Sequence, residues 1–163
     1  MFVLARAVTY STLFVGLVLV FLPARVLSSS GVVQPAGTGP WQIAGMLVGA
    51  AGAALCLACI STFALVGKGT PAPFDPPRLL VRQGPYRFVR NPMYLGAALA
   101  MGGAALFYQS FALLAYIAAF LLATHLLVAG YEEPTLRRAF GDDYAAYCKA
   151  VGRWWPRTKV LNS

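Results

Sequence analysis

Two short polar segments hold most of the side chains in this chain that could do chemistry. One runs Gly84-Pro85-Tyr86-Arg87-Phe88-Val89-Arg90-Asn91-Pro92-Met93-Tyr94-Leu95-Gly96. The other opens with Glu132-Glu133 and continues through Tyr144, Tyr147, Arg153 and Arg157. Guanidinium groups suit an anionic ligand group, carboxylates an amine or a ribose hydroxyl, and Tyr a cation or an adenine ring. Asn91-Pro92 also reads as a helix start, because Asn is a preferred N-cap and Pro fits the first helical position. The free N–H groups of such an end can hold a carboxylate or phosphate. Tyr94 and Gly96, in the first turn, would add an aromatic face and a gap where a ligand approaches the backbone. Spacing alone describes a polar site for a zwitterionic or amphiphilic ligand and names no reaction.

The elements that must position these groups are apolar. The 163 residues are 59% hydrophobic and 11% charged, against roughly 45–50% and about 25% for an ordinary soluble domain. No charge falls between Arg6 and Arg25 or between Arg25 and Lys68, and from Asn91 to Tyr131 the one ionisable side chain apart from tyrosines is His125. A bilayer core of roughly 30 Å takes about 20 apolar residues in a helix. The pattern predicts an all-α polytopic membrane protein, residues 1–163 forming one domain. Its four spans lie near 5–27, 41–66, 92–108 and 110–130, with Tyr108-Gln109-Ser110 as the turn between the last two. A cytoplasmic amphipathic helix follows, with Leu136, Phe140, Tyr144, Tyr147, Cys148 and Val151 at helical spacing and Trp154 and Trp155 as interfacial anchors. Arg6 ahead of an apolar run imitates a signal peptide, and the expectation is that it is retained as the first span.

Four spans place both termini and the 68–90 loop on one side. That side would hold every base except Arg25, together with all the acids, so the positive-inside rule makes it cytoplasmic, as in an inner (plasma) membrane protein. The net charge of +8 is then a topology signal and not a nucleic-acid footprint. The partners this leaves are the lipid bilayer and a lipophilic small molecule or lipid, with the oligomeric state open. The loop carries Pro71, Pro73, Pro76, Pro77, Pro85 and Pro92 and should be extended and stiff. Cys56 and Cys59 form a C-x-x-C without His or acidic company, which reads as packing and not as a metal or redox pair. Cys148 reads as a reduced thiol, and His125 as an interhelical hydrogen-bonding group.

The run from Gly84 to Gly96, followed about forty residues later by Glu132-Glu133, Leu136, Phe140-Gly141, Tyr144 and Tyr147, closely resembles the isoprenylcysteine carboxyl methyltransferase and phospholipid methyltransferase superfamily. The resemblance covers roughly residues 78–157, with cofactor motifs in 78–96 and 131–157. It implies an integral-membrane enzyme that transfers a methyl group from S-adenosylmethionine to a lipophilic acceptor. Carried onto this chain, the cofactor-binding positions are Gly84, Pro85, Tyr86, Arg90, Asn91, Pro92, Tyr94, Gly96, Glu132 and Glu133, with Tyr144 and Tyr147 closing the pocket. Glu133 is implied as a cofactor hydrogen bonder or a base, and Arg153 stands with it as the second catalytic candidate. No metal is implied.

One departure matters. The carboxyl methyltransferases usually show His where this chain has Asn91, and Asn cannot titrate. The N-P-x-Y spelling also resembles the phospholipid amine methyltransferases, so the acceptor is a prenylcysteine-like carboxylate, a phospholipid amine or a small thiol or amine. A different class of reading is a transporter or a non-catalytic membrane protein that keeps the fold. No acid lies inside an expected span, which argues against a proton-coupled transporter.

Overall fold

The computed structural model describes residues 15–63, 65 and 79–157. The beginning of the expected first span, Pro71, Pro73, Pro76 and Pro77 of the loop, and Arg6, Lys68, Arg78 and Lys159 lie outside the described residues.

Among the described residues the chain is all-α, and no strand is formed. A π-helical stretch, Val15–Phe21, runs into α1 (Leu22–Ser29); α2 is Pro40–Thr62, α3 Pro92–Tyr108, α4 Phe111–Leu127 and α5 Glu133–Ala150. A 3₁₀ turn, Gly84–Arg87, precedes α3, and a π turn, Val128–Glu132, joins α4 to α5 without a break. Among the described residues two helical runs are long and apolar enough to cross a membrane, Pro40–Thr62 and the apolar part of Phe111–Ala150. At 23 residues, α2 is about 35 Å long at 1.5 Å per residue, enough for the hydrocarbon core.

The centre of the fold is the antiparallel pair α2 and α3, held at backbone contact by small residues. A Cβ on Gly45 would sit 2.6 Å from the Gly103 carbonyl oxygen, and one on Gly52 2.6 Å from the Gly96 carbonyl oxygen. In lipid no hydrophobic effect drives helices together, so close van der Waals packing of this kind is the main attraction available. Gln42 ties the far end: its Oε1 accepts from the Gly39 N–H at 3.0 Å, and its Nε2 donates to the Phe107 carbonyl at 3.1 Å.

The turn expected at Tyr108-Gln109-Ser110 forms. Gln109 takes a left-handed conformation, φ 50°, just past α3, the position that usually closes a helix. Ser110 caps α4 by accepting from the Leu113 N–H at 3.2 Å. The resulting hairpin buries Met101, Ala105, Leu113, Ile117 and Phe120 in one core, and Tyr116 donates to the Val18 carbonyl at 2.8 Å, docking the N-terminal helix. The hairpin returns the end of α4 to the end where α3 begins, which sets Glu132 and Glu133 beside Arg90 and Tyr94.

The C-terminal segment differs from the uniform amphipathic helix expected. It leaves α4 through the π turn and breaks at Gly141, φ 50°, ψ −123°. Beyond that break Tyr144, Tyr147 and Val151 are buried in their own cluster, with Leu80, Leu136 and Phe140 packed against it. The apolar spacing is met by the chain's own loop, a long-range partner that periodicity cannot reveal.

Candidate active site

The loop before α3 is fastened to the C-terminal tail by backbone. Val89 and Gly152 form an isolated parallel bridge, and the Arg90 N–H donates to the Gly152 carbonyl at 2.9 Å. Asn91 stands at the N-cap of α3 but makes no capping bond. Its Nδ2 donates instead to the Arg153 carbonyl at 3.2 Å. The tail can double back here because Gly152 has no Cβ, which would collide with the Trp155 carbonyl. Tyr147 completes the fastening from α5, donating from its hydroxyl to the Tyr86 carbonyl at 2.6 Å.

This fastening brings the charges together. Arg153 grips Glu133 with both arms of its guanidinium, Nε to Oε1 at 2.6 Å and Nη2 to Oε2 at 2.9 Å. Arg90 adds a second cation, its Nη1 3.1 Å from Glu133 Oε1; the Arg90 side chain is 10% exposed and that of Glu133 9%. The same Nη1 donates to the Tyr144 hydroxyl at 3.3 Å and lies against Cys148 Sγ. The Nε of Arg90 is buried and has no partner among the described residues. Glu132, one residue earlier on the π turn, turns away from this cluster and accepts from the Tyr94 hydroxyl.

The two neighbouring carboxyls therefore differ in kind. Burial pushes the Glu133 carboxyl up, but the Arg153 hydrogen bonds and the charges of Arg90, Arg153 and Arg137 outweigh it and hold the group below its ordinary range. Burial also pushes Glu132 up. The Tyr94 hydroxyl pulls it partly back, the charge of Glu133 raises it further, and the net result lies above the ordinary range. Carboxyls whose environments push them apart in this way are able to take two different roles. Tyr144 and Tyr147 are raised chiefly by burial and stay protonated phenols.

Of the positions singled out in the sequence, Arg90, Asn91, Glu133, Tyr144 and Arg153 join in this one cluster, and Tyr94 and Glu132 form a separate pair beside it. Tyr147 meets it through the Tyr86 carbonyl. The ring of Tyr86 itself packs away, against Phe63 with centroids 5.1 Å apart and in a cluster with Cys59 and Val81. Pro85 is the second residue of the 3₁₀ turn and Pro92 the first of α3. Gly84 and Gly96 lie elsewhere than a ligand gap. A Cβ on Gly96 would press 2.8 Å from Cys56 Sγ of α2, and one on Gly84, φ +58°, 2.6 Å from Thr62 Oγ1. Both glycines serve helix and loop packing.

Trp154 and Cys148 were not read from the sequence as site residues. The Trp154 ring lies 6.4 Å from that of Tyr94, and its Nε1 donates to His125 Nδ1 at 3.0 Å. A W-W dipeptide near a membrane signals an interface anchor, and nothing local separates that from an inward-facing ring. Cys56 and Cys59 take their places in the α2 packing, Cys59 fully buried, and among the described residues no group of His, Cys, Asp and Glu could hold a metal.

The two long apolar helical runs among the described residues suggest a membrane protein. Residues 41–143, more than half of the chain, match the phospholipid methyltransferase family, and the chain belongs to that family. No curated protein and no solved structure matches it. The matched region includes α2 to α4, both carboxylates and Arg90, and ends before Tyr144, Tyr147 and Arg153.

Proposed function

We propose that this protein is an S-adenosylmethionine-dependent methyltransferase that acts on a lipophilic acceptor at the cytoplasmic membrane face, from a domain spanning residues 1–163 with four membrane helices. The observation that carries the reading is the split carboxylate pair, Glu133 clamped by two guanidinium groups and Glu132 held by Tyr94, within a chain of a methyltransferase family.

The donor set fits that cofactor. Arg90 has a buried, unpartnered Nε among the described residues, which leaves it a donor for the carboxylate of an amino-acid group. Glu132 suits an ammonium or ribose hydroxyls, and the faces of Tyr94 and Trp154 suit a cation. When bound, S-adenosylmethionine supplies an electrophilic methyl group on a sulfonium. The chain's own work is alignment and the exclusion of water, which the buried Tyr94 and Phe120 and the half-buried Trp154 favour. Where the acceptor carries a proton to be lost, Glu132 is the better base. Its carboxyl is raised and has Tyr94 as its one hydrogen-bond partner among the described residues, whereas Glu133 is held ionised and occupied by Arg153 and Arg90. Glu133 and Arg153 then organise charge, and Asn91 holds the tail without titrating.

Among acceptors, a phospholipid amine is favoured over a prenylcysteine-like carboxylate or a small thiol, because a raised carboxylate beside aromatic rings can take the proton that an ammonium must lose before its nitrogen attacks. A lipid would reach the site sideways from the bilayer. The positive-inside distribution supports a cytoplasmic site, with both termini on that side of an inner membrane. A transfer assay with radiolabelled S-adenosylmethionine and a total lipid extract tests the reading and shows the acceptor. Label that stays out of every lipid, from protein that remains folded, would favour a non-catalytic membrane protein.

A further inference from the structure

His125 lies in α4, two turns before Glu132, with Thr124 and Val128 buried beside it. Its Nδ1 takes the Trp154 indole N–H at 3.0 Å, and the two rings are tilted 30° with centroids 6.2 Å apart. An indole N–H only donates, so the accepting nitrogen must carry its lone pair, which fixes the tautomer with the proton on Nε2. The bond is the last of four fastenings that hold one tripeptide of the tail. Gly152 is held through its carbonyl by the Arg90 N–H, Arg153 through its carbonyl by Asn91 and through its guanidinium by Glu133, and Trp154 by His125. Held there, Trp154 faces the Tyr94 ring, which packs in turn on Phe120 with centroids 6.5 Å apart. The other three fastenings all fix residues upstream of the indole, and the His125 bond is the hydrogen bond that its ring makes among the described residues, beside its packing on the core of Tyr94 and Phe120.

We propose that His125 is a positioning residue, which holds Trp154 against Tyr94 as a wall of the cofactor site and thereby steadies Arg153 on Glu133. Free of this bond, the indole has no acceptor among the described residues and its ring is free to turn from Tyr94, while Asn91 and Glu133 still hold the Arg153 backbone and guanidinium. The wall matters to ligand binding on the methyltransferase reading above, on which the affinity measurement rests; the geometry of the tail does not depend on that reading.

The experiment uses full-length protein in nanodiscs carrying Trp41→Phe and Trp155→Phe, so that Trp154 is the one tryptophan. His125→Leu should lower the anisotropy of Trp154 emission and raise its acrylamide quenching at least about twofold. It should also weaken S-adenosylhomocysteine binding by calorimetry about three- to tenfold, the range expected for one lost hydrogen bond. His125→Asn, whose Oδ1 can stand in for Nδ1, should restore both. Trp154→Phe, made in the native background, should match the affinity loss of His125→Leu, and the double variant should be no worse than either. Wild-type anisotropy in His125→Leu overturns the proposal. So does an Asn variant as defective as the Leu one, because ring volume and not the acceptor nitrogen would then be what counts. If the parent protein binds no S-adenosylhomocysteine, the methyltransferase reading fails, and the anisotropy series still decides the role of His125.

Discussion

Arg153 and Glu133, 20 residues apart in sequence, are joined by two parallel hydrogen bonds of 2.6 and 2.9 Å. The fork matches the carboxylate as only a planar guanidinium can. Arg153→Lys should therefore lose the bidentate grip while keeping the charge. Its expected effect is a tenfold or larger drop in cofactor affinity by calorimetry with only a small fall in melting temperature, and wild-type affinity in the Lys variant would show that charge alone suffices.

Glu133→Gln should be worse for stability. It leaves Arg90, whose side chain is 10% exposed, as a buried cation without its counter-charge. Breaking a buried pair on one side costs about 3–5 kcal/mol. Thermal unfolding in detergent should show the loss, and Arg90→Met combined with Glu133→Gln should recover part of it.

The two carboxylates act oppositely with pH. Glu133 is lowered in the folded protein, so its stabilising contribution is complete above its ordinary value of 4.5 and drains away as pH falls through the lower folded value. Glu132 is raised, so its buried charge opposes folding at neutral pH and the opposition lifts on acidification through the raised value. Melting temperatures across pH should show an acid limb that Glu133→Gln flattens. Glu132→Gln should be as stable as the parent or more so at pH 7, yet deficient in methyl transfer. A marked loss of stability in Glu132→Gln would contradict this division.

Tyr147→Phe removes one hydroxyl and leaves the Tyr86 carbonyl without its 2.6 Å partner. The expected loss is about 1–3 kcal/mol, that of an unsatisfied buried acceptor. Limited proteolysis within the 79–90 loop should report the loosened fastening.

Gly52→Ala and Gly103→Ala should disrupt the α2–α3 pair, because each Cβ meets backbone of the facing helix that cannot move aside. Gly102→Ala and Gly130→Ala, with open space around both positions, should leave melting and expression unchanged. Equal behaviour of the two sets would mean that the helices do not pack at backbone contact.

What was legible in the sequence followed from local rules. The uncharged runs marked the two long apolar helical runs, and Asn91-Pro92 and Ser110 marked the starts of α3 and α4, each within a residue. The charged residues of the site were legible as types, since Arg90, Glu132, Glu133 and Arg153 had few other reasons to be near an apolar core. Their pairing was not. It depends on the bridge from Val89 to Gly152, 63 positions apart, and no periodicity encodes such a contact. Gly96 was misplaced for a related reason: in the first turn of α3 it could face a ligand or a neighbouring helix, and the glycines of α2 decide for the helix. The inward face of Trp154 likewise waits on His125, which reads locally as an isolated polar residue in a span.

The π turn from Val128 to Glu132 carries one residue more per turn than an α-helix would. Each residue of an α-helix advances the phase by about 100°, so that extra residue sets the rotational register of everything after it. Were the same five residues wound as α-helix, Glu133 and all of α5 would swing by about 100°, away from Arg90 and Arg153, without changing any side chain; deleting one of them would let the turn close as α-helix and keep the facing of Glu133. The site is thus specified by counting as much as by composition: the same residues, one step out of phase, would form a helix with no charge cluster.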